Sequence, residues 1–206
     1  MMSGDVVQRT VTVTGTGSSD VRPDRATLSL GVQTRRSSAQ GAMGRAAERA
    51  DHVVGALREA GATDVDLRTS GLNLWYDQSD GHYVATYSLT VGVELEHVGR
   101  YLDVAGTAGG DEFQLNGVSF SVSNRDALVP PLREVALADA RAKATALAAA
   151  EGASVGRVMA IIEGGGGGAI PLPRGAMRAM AAAPMEPGTE TLTVDVTATY
   201  ELLATD

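Results

Sequence analysis

Apolar and polar residues alternate in several short runs of this chain, and longer stretches of helical periodicity separate them, so the pattern divides the sequence into elements. From Arg9 to Thr14, Val11 and Val13 alternate with Thr10, Thr12 and Thr14, the period of a half-buried strand, which Gly15-Thr16-Gly17 is expected to break. Pro23 and Asp24 then set the entry to a second strand, Thr27 to Thr34, alternating through Leu28, Leu30 and Val32. Ser37 and Gln40 are spaced as a capping box. Met43, Ala46, Ala50, Val53, Val54 and Leu57 follow on one helical face until Gly61 supplies a stop. Val65 to Tyr76 and Val84 to Leu95 read as a long hairpin around Asp77 to Gly81. Val98 to Ala108 fits a short helix and Phe113 to Val122 a further strand.

From the second strand onward this order is β-α-β-β-α-β, the ferredoxin-like arrangement. Pro131 to Glu151 follows as an alanine-rich helix, with Pro130 and Pro131 placed in its first turn, Asp139 four residues before Lys143, and Gly152 as its stop. Arg157 to Ile162 is expected to be a short buried strand and Leu192 to Leu202 a long alternating one. The predicted class is therefore α+β, with a mixed, largely antiparallel sheet carrying helices, its ferredoxin-like core extended by a long helix and a C-terminal strand. One domain is expected over 9–203. Residues 164–188, with five consecutive glycines, four prolines and Met177, Met180 and Met185 among alanines, read as a mobile insertion within it.

Composition narrows the function. A net charge of -8 and a pI near 4.9 argue against nucleic acid or anionic lipid as partners. Lys143 is the one lysine among 17 basic residues. The absence of cysteine excludes disulfides, thiolate zinc sites and a cysteine nucleophile. No stretch approaches the roughly 18 apolar residues of a membrane span. Met1 to Gln8 has neither a basic nor an apolar leader region, so the chain as written reads as cytoplasmic; an exported form without its signal would read identically.

Candidate chemistry is sparse. Gly15-Thr16-Gly17 lacks the third glycine and the following helix of a dinucleotide loop, and the five glycines from Gly164 lack the Lys-Ser/Thr of a phosphate loop. His52, His82 and His97 have no partner at a recognised metal spacing, and Asp77, Asp80 and Gly81 fail the alternation of a calcium loop. No serine sits in a Gly-x-Ser-x-Gly elbow. No cofactor, metal or catalytic residue is expected.

Val11 to Gly17 followed by Val21-Arg22-Pro23-Asp24-Arg25-Ala26 resembles the opening signature of the SIMPL family, a Gly-x-Gly turn before a Pro-Asp-x-Ala strand entry. Leu57 to Gly61 with Asp64 to Gly71, ending in Arg68-Thr69-Ser70-Gly71-Leu72, resembles its segment joining helix to strand. Gly117 to Ser123, with Phe120, resembles its central strand, and Asp139 to Ala144 with Gly152 its long helix. The resemblance spans about residues 9–203. It implies structural roles for Gly15, Gly17, Pro23, Asp24, Ser70, Gly71, Phe120, Arg141, Lys143 and Gly152, with Gly15 and Gly17 permitting a strained turn. It also implies no established enzymatic activity and an envelope-associated bacterial setting, in which some members resemble hollow, channel-like homo-oligomers. The family name comes from a signalling adaptor that binds a kinase.

The leading expectation is a self-assembling homo-oligomer with a binding or structural role. Thr191, Thr193, Thr197 and Thr199, on the polar face of the last strand, and Met177 and Met180 are the candidate interface residues. Neither the first nor the last strand carries the lysine or proline that usually blunts a free edge. A chaperone-like or adaptor module gripping apolar peptides is the alternative, and a hydrolase with an unrecognised site a lesser one.

Overall fold

The computed structural model describes residues 9–164 and 187–204. It contains β1 (Thr10–Val21), β2 (Arg25–Arg36), α1 (Ala39–Glu59), β3 (Leu67–Asp77), β4 (His82–Glu94), α2 (Val98–Gly109), β5 (Phe113–Ser121), α3 (Arg125–Ala150), β6 (Ala153–Glu163) and β7 (Glu190–Ala204). The fold is α+β, with its strands in two antiparallel sheets. Two compact units result, Pro23–Ser123 and the combination of Met1–Arg22 with Asn124–Asp206. The expected mobile insertion at 164–188 falls mostly outside the described residues, as do Met177 and Met180.

The Pro23–Ser123 unit is the predicted ferredoxin-like core, its sheet ordered β3-β4-β2-β5. Leu28, Leu30 and Val32 of β2 and Leu89 and Val91 of β4 are buried beneath the helices. The buried stripe of α1 is Ala42, Ala46, Ala50, Val53 and Leu57. Small alanines bring α1 close to the sheet, where Ala42 and Ala46 pack on Ala85 between Tyr83 and Tyr87. The buried hydroxyl of Thr34 donates to the Ala42 carbonyl at 2.7 Å, so no polar group is stranded there. The helix begins one residue later than the capping-box spacing predicts. Ser38, not Ser37, accepts the N–H of Gly41 at 3.1 Å, because this phase points the alanine stripe at the sheet and leaves Met43 40% exposed.

In the other unit α3 lies on a sheet ordered β1-β7-β6. Three predictions fail here for tertiary reasons. First, β1 does not break at Gly15-Thr16-Gly17 but runs on to Val21, paired throughout with β7. Neither glycine has a positive φ; each makes room for helix backbone. Second, α3 begins at Arg125, so Pro130 and Pro131 lie inside it, beyond the first turn. Interior prolines cost about 3 kcal/mol each. Here Leu128 and Val129 before the prolines and Leu132 after them pack in one cluster with Leu192 and Val194. Third, β6 is not buried: Val158, Met159, Ile161 and Ile162 are 41–65% exposed, because α3 packs mainly on β1 and β7. Gly152 does stop α3, at φ +63.

Candidate functional site

The signature glycines mark a close seam between α3 and β1. A Cβ built on Gly15 would lie 2.0 Å from the Ala136 carbonyl oxygen, and one on Gly17 would lie 2.1 Å from that of Leu132. Only hydrogen fits at either position. Across this seam Asp139 Oδ2 accepts the Thr16 N–H at 2.9 Å, and Lys143 Nζ donates to the Thr14 carbonyl at 3.0 Å while pairing with Asp139 at 2.7 Å. Hydrogen bonds from Lys143 and then from Thr16 hold the Asp139 carboxyl below its ordinary pKa. The pair read from sequence as a helix-stabilising i,i+4 contact thus covers the outer edge of β1. Arg141, two residues away, turns instead over the ring of Tyr200, 6.0 Å from its centroid.

The candidate interface threonines occupy β7, which is the central strand of its sheet. Both of its edges are paired, so the free-edge argument does not apply to it. Thr197 and Thr199 bond the hydroxyls of Thr14 and Thr12 at 3.0 and 2.9 Å, and Thr191 donates to Asp20 at 2.6 Å. Thr193 lines a smaller hollow of about 280 Å³ with Val129, Leu132, Leu192 and the Arg133–Glu163 pair.

In the Pro23–Ser123 unit, the Pro-Asp signature fastens the two ends together. Pro23 is buried, and Asp24 accepts the Ser123 N–H at 2.7 Å and its hydroxyl at 2.5 Å. The Ser123 side chain and then its backbone N–H hold the Asp24 pKa below the usual carboxylate range. Beside this clasp an open hollow of about 510 Å³ is lined by Asp24, Arg25, Glu94, Leu95, Glu96 and Ser123. Phe120 sits opposite Ala26 across β2 and β5, half-buried. Ser70 and Gly71 lie at an irregularity in the β3–β4 register, where Ser70 is the extra residue.

Two groupings escape sequence reasoning. Glu112 gathers three arginines: Arg45 donates to both carboxylate oxygens at 3.1–3.2 Å, Arg49 at 3.1 Å and Arg36 at 3.1 Å. Burial works to raise its pKa, but the bonds from Arg45 and Arg49 outweigh it and the net shift is downward. The i,i+4 spacing of Arg45 and Arg49 was legible; their acid, more than 60 residues away, was not. Glu94, Glu96 and His97 also converge, with donor atoms within 4.8 Å of one another and all three side chains exposed. Glu94 faces Nδ1 and Glu96 faces Nε2, each at 3.7 Å. The two carboxylates thus lie at opposite nitrogens of the ring and not together at one. Among the described residues, Ser79 and Ser123 give their hydroxyls to carboxylates and no serine hydrogen-bonds a histidine.

An α+β chain with a ferredoxin-like unit, a Gly-x-Gly strand seated under a long helix and a Pro-Asp clasp is the class of protein defined here. The chain belongs to the SIMPL family, described as a protein family of unknown function (DUF541), whose model matches residues 11–200. It is 35% identical over 214 residues to the 26 kDa periplasmic immunogenic protein of Brucella melitensis biotype 1, covering 93% of this chain and 84% of that one. The protein of the same name from Brucella abortus strain S19 matches to the same extent.

Proposed function

We propose that the chain is a non-catalytic subunit of a closed homo-oligomer in the bacterial cell envelope, with a binding or structural role. The observation that carries this reading is the apolar surface left on terminal strands. Leu72, Leu74, Trp75 and Tyr76 on β3 are 39–50% exposed, and Val158, Met159, Ile161 and Ile162 on β6 are 41–65% exposed. Monomeric proteins rarely leave such rows on a strand with an open edge. A hollow or channel-like form follows when one such contact repeats around a ring. The relatives named periplasmic immunogenic protein support a periplasmic setting.

Native mass spectrometry and negative-stain imaging of the purified chain test this reading. A discrete mass of several subunits that persists on dilution is the expected result, and a monodisperse monomer at micromolar concentration overturns it. The same exposed strands favour a second reading, an adaptor that takes an extended apolar peptide onto a sheet edge. A stable monomer that binds such peptides would select it.

A further inference from the structure

The first, fifth and sixth strands offer poorer pairing edges than the third. Asp139 and Lys143 already bond the outward backbone groups of β1. The β6 register with β7 is irregular at two places, and its charged residues Arg157 and Glu163 are held in ion pairs with Glu201 and Arg133. On β5, Leu115 is the large apolar side chain exposed, and the register with β2 slips beside it. After its irregularity at Ser70, β3 runs straight from Gly71 to Asp77 against β4 and ends its sheet.

We infer that two copies of the chain join through antiparallel pairing of β3 with β3, making one continuous sheet across a twofold axis near Asn73. This rests on the self-assembly reading above and names one contact of that assembly: a twofold contact closes at two copies, so a larger ring joins such pairs through a second, different contact. The strand is self-complementary. From Thr69 to Tyr76 it carries no charge, so a copy facing it meets no like-charge repulsion. Arg68 stands at one end and Asp77 at the other. They register with Thr90 and His82 of β4, on one face of the sheet, and antiparallel pairing brings Arg68 of each copy toward Asp77 of the other. Hydrogen bonds from the Ser79 hydroxyl and then its N–H to Oδ1 lower the Asp77 pKa; its Oδ2 lies 3.6 Å from Arg35 of the same copy, so Arg68 of the other copy would join this pair as a second cation. On the opposite face Leu72, Leu74 and Tyr76 register with Tyr87, Ala85 and Tyr83, and the partner strand extends this apolar row. A twofold axis places the same patch on both sides, as an isologous contact requires.

The absence of cysteine from the chain permits a clean test. Leu72→Cys, Asn73→Cys and Leu74→Cys are made singly and oxidised in the native assembly, beside a Leu72→Lys/Leu74→Lys double variant followed by native mass. At least one cysteine variant is expected to give a covalent dimer, and the lysine variant a mass reduced at least twofold with circular dichroism unchanged. An oligomeric wild type in which no cysteine variant cross-links overturns the β3 contact while leaving self-assembly standing. A monomeric wild type overturns both. If the lysine variant fails to fold, the cross-linking result alone decides.

Discussion

Asp139 on α3 accepts the outward N–H of Thr16 at 2.9 Å, so a helix side chain, and not a second strand, covers the edge of β1. Asp139→Ala removes that acceptor and leaves Lys143 without its acid. The Thr16 amide should then exchange with solvent faster than in the wild type, while amides of β3 keep their rates. Hydrogen exchange followed by NMR checks this; an unchanged Thr16 rate would show that the edge is protected by something else.

Gly15→Ala and Gly17→Ala should each lower stability by at least about 3 kcal/mol, since the new methyl meets helix backbone that cannot move aside. Gly44→Ala is the control. It lies inside α1 with nothing within 4 Å of a built Cβ, and should raise stability by about 1 kcal/mol. Urea unfolding of the three variants measures both signs.

Glu112→Gln should cost about 1–3 kcal/mol at neutral pH, because three guanidinium groups lose a shared carboxylate. Its folded pKa is depressed, so the contribution is fully present above the unfolded value of about 4.3 and is lost as pH falls through the lower folded value. The stability gap between wild type and variant should therefore be constant above about pH 5.5 and close progressively in acid. A gap that widens as pH falls would contradict the assignment.

Thr197→Pro tests the position of β7. Thr197 registers with Thr14 on one side and Ile162 on the other, so proline there removes a ladder bond inside the sheet. A loss of roughly 3 kcal/mol or more is expected, seen as a lowered thermal midpoint even in dilute subunits. A variant that folds normally and merely fails to assemble would place β7 at an open edge.

Local sequence determined what depends on neighbours in the chain. Alternation and turn residues specified the β-α-β-β-α-β order, Gly152 specified the end of α3, and the signature residues specified the family. Separation along the chain hid the rest. The glycines of β1 look like a turn until helix backbone more than 100 residues away is seen pressing on them. Glu112 looks like an ordinary surface acid until the fold brings three arginines to it. The last strand looks exposed because nothing in its own residues reveals that β1 and β6 flank it, and β6 looks buried because its apolar residues cannot say where α3 will lie. Strand pairing and helix placement are decided by which faces bury together, so only the tertiary structure could decide which edges stay open.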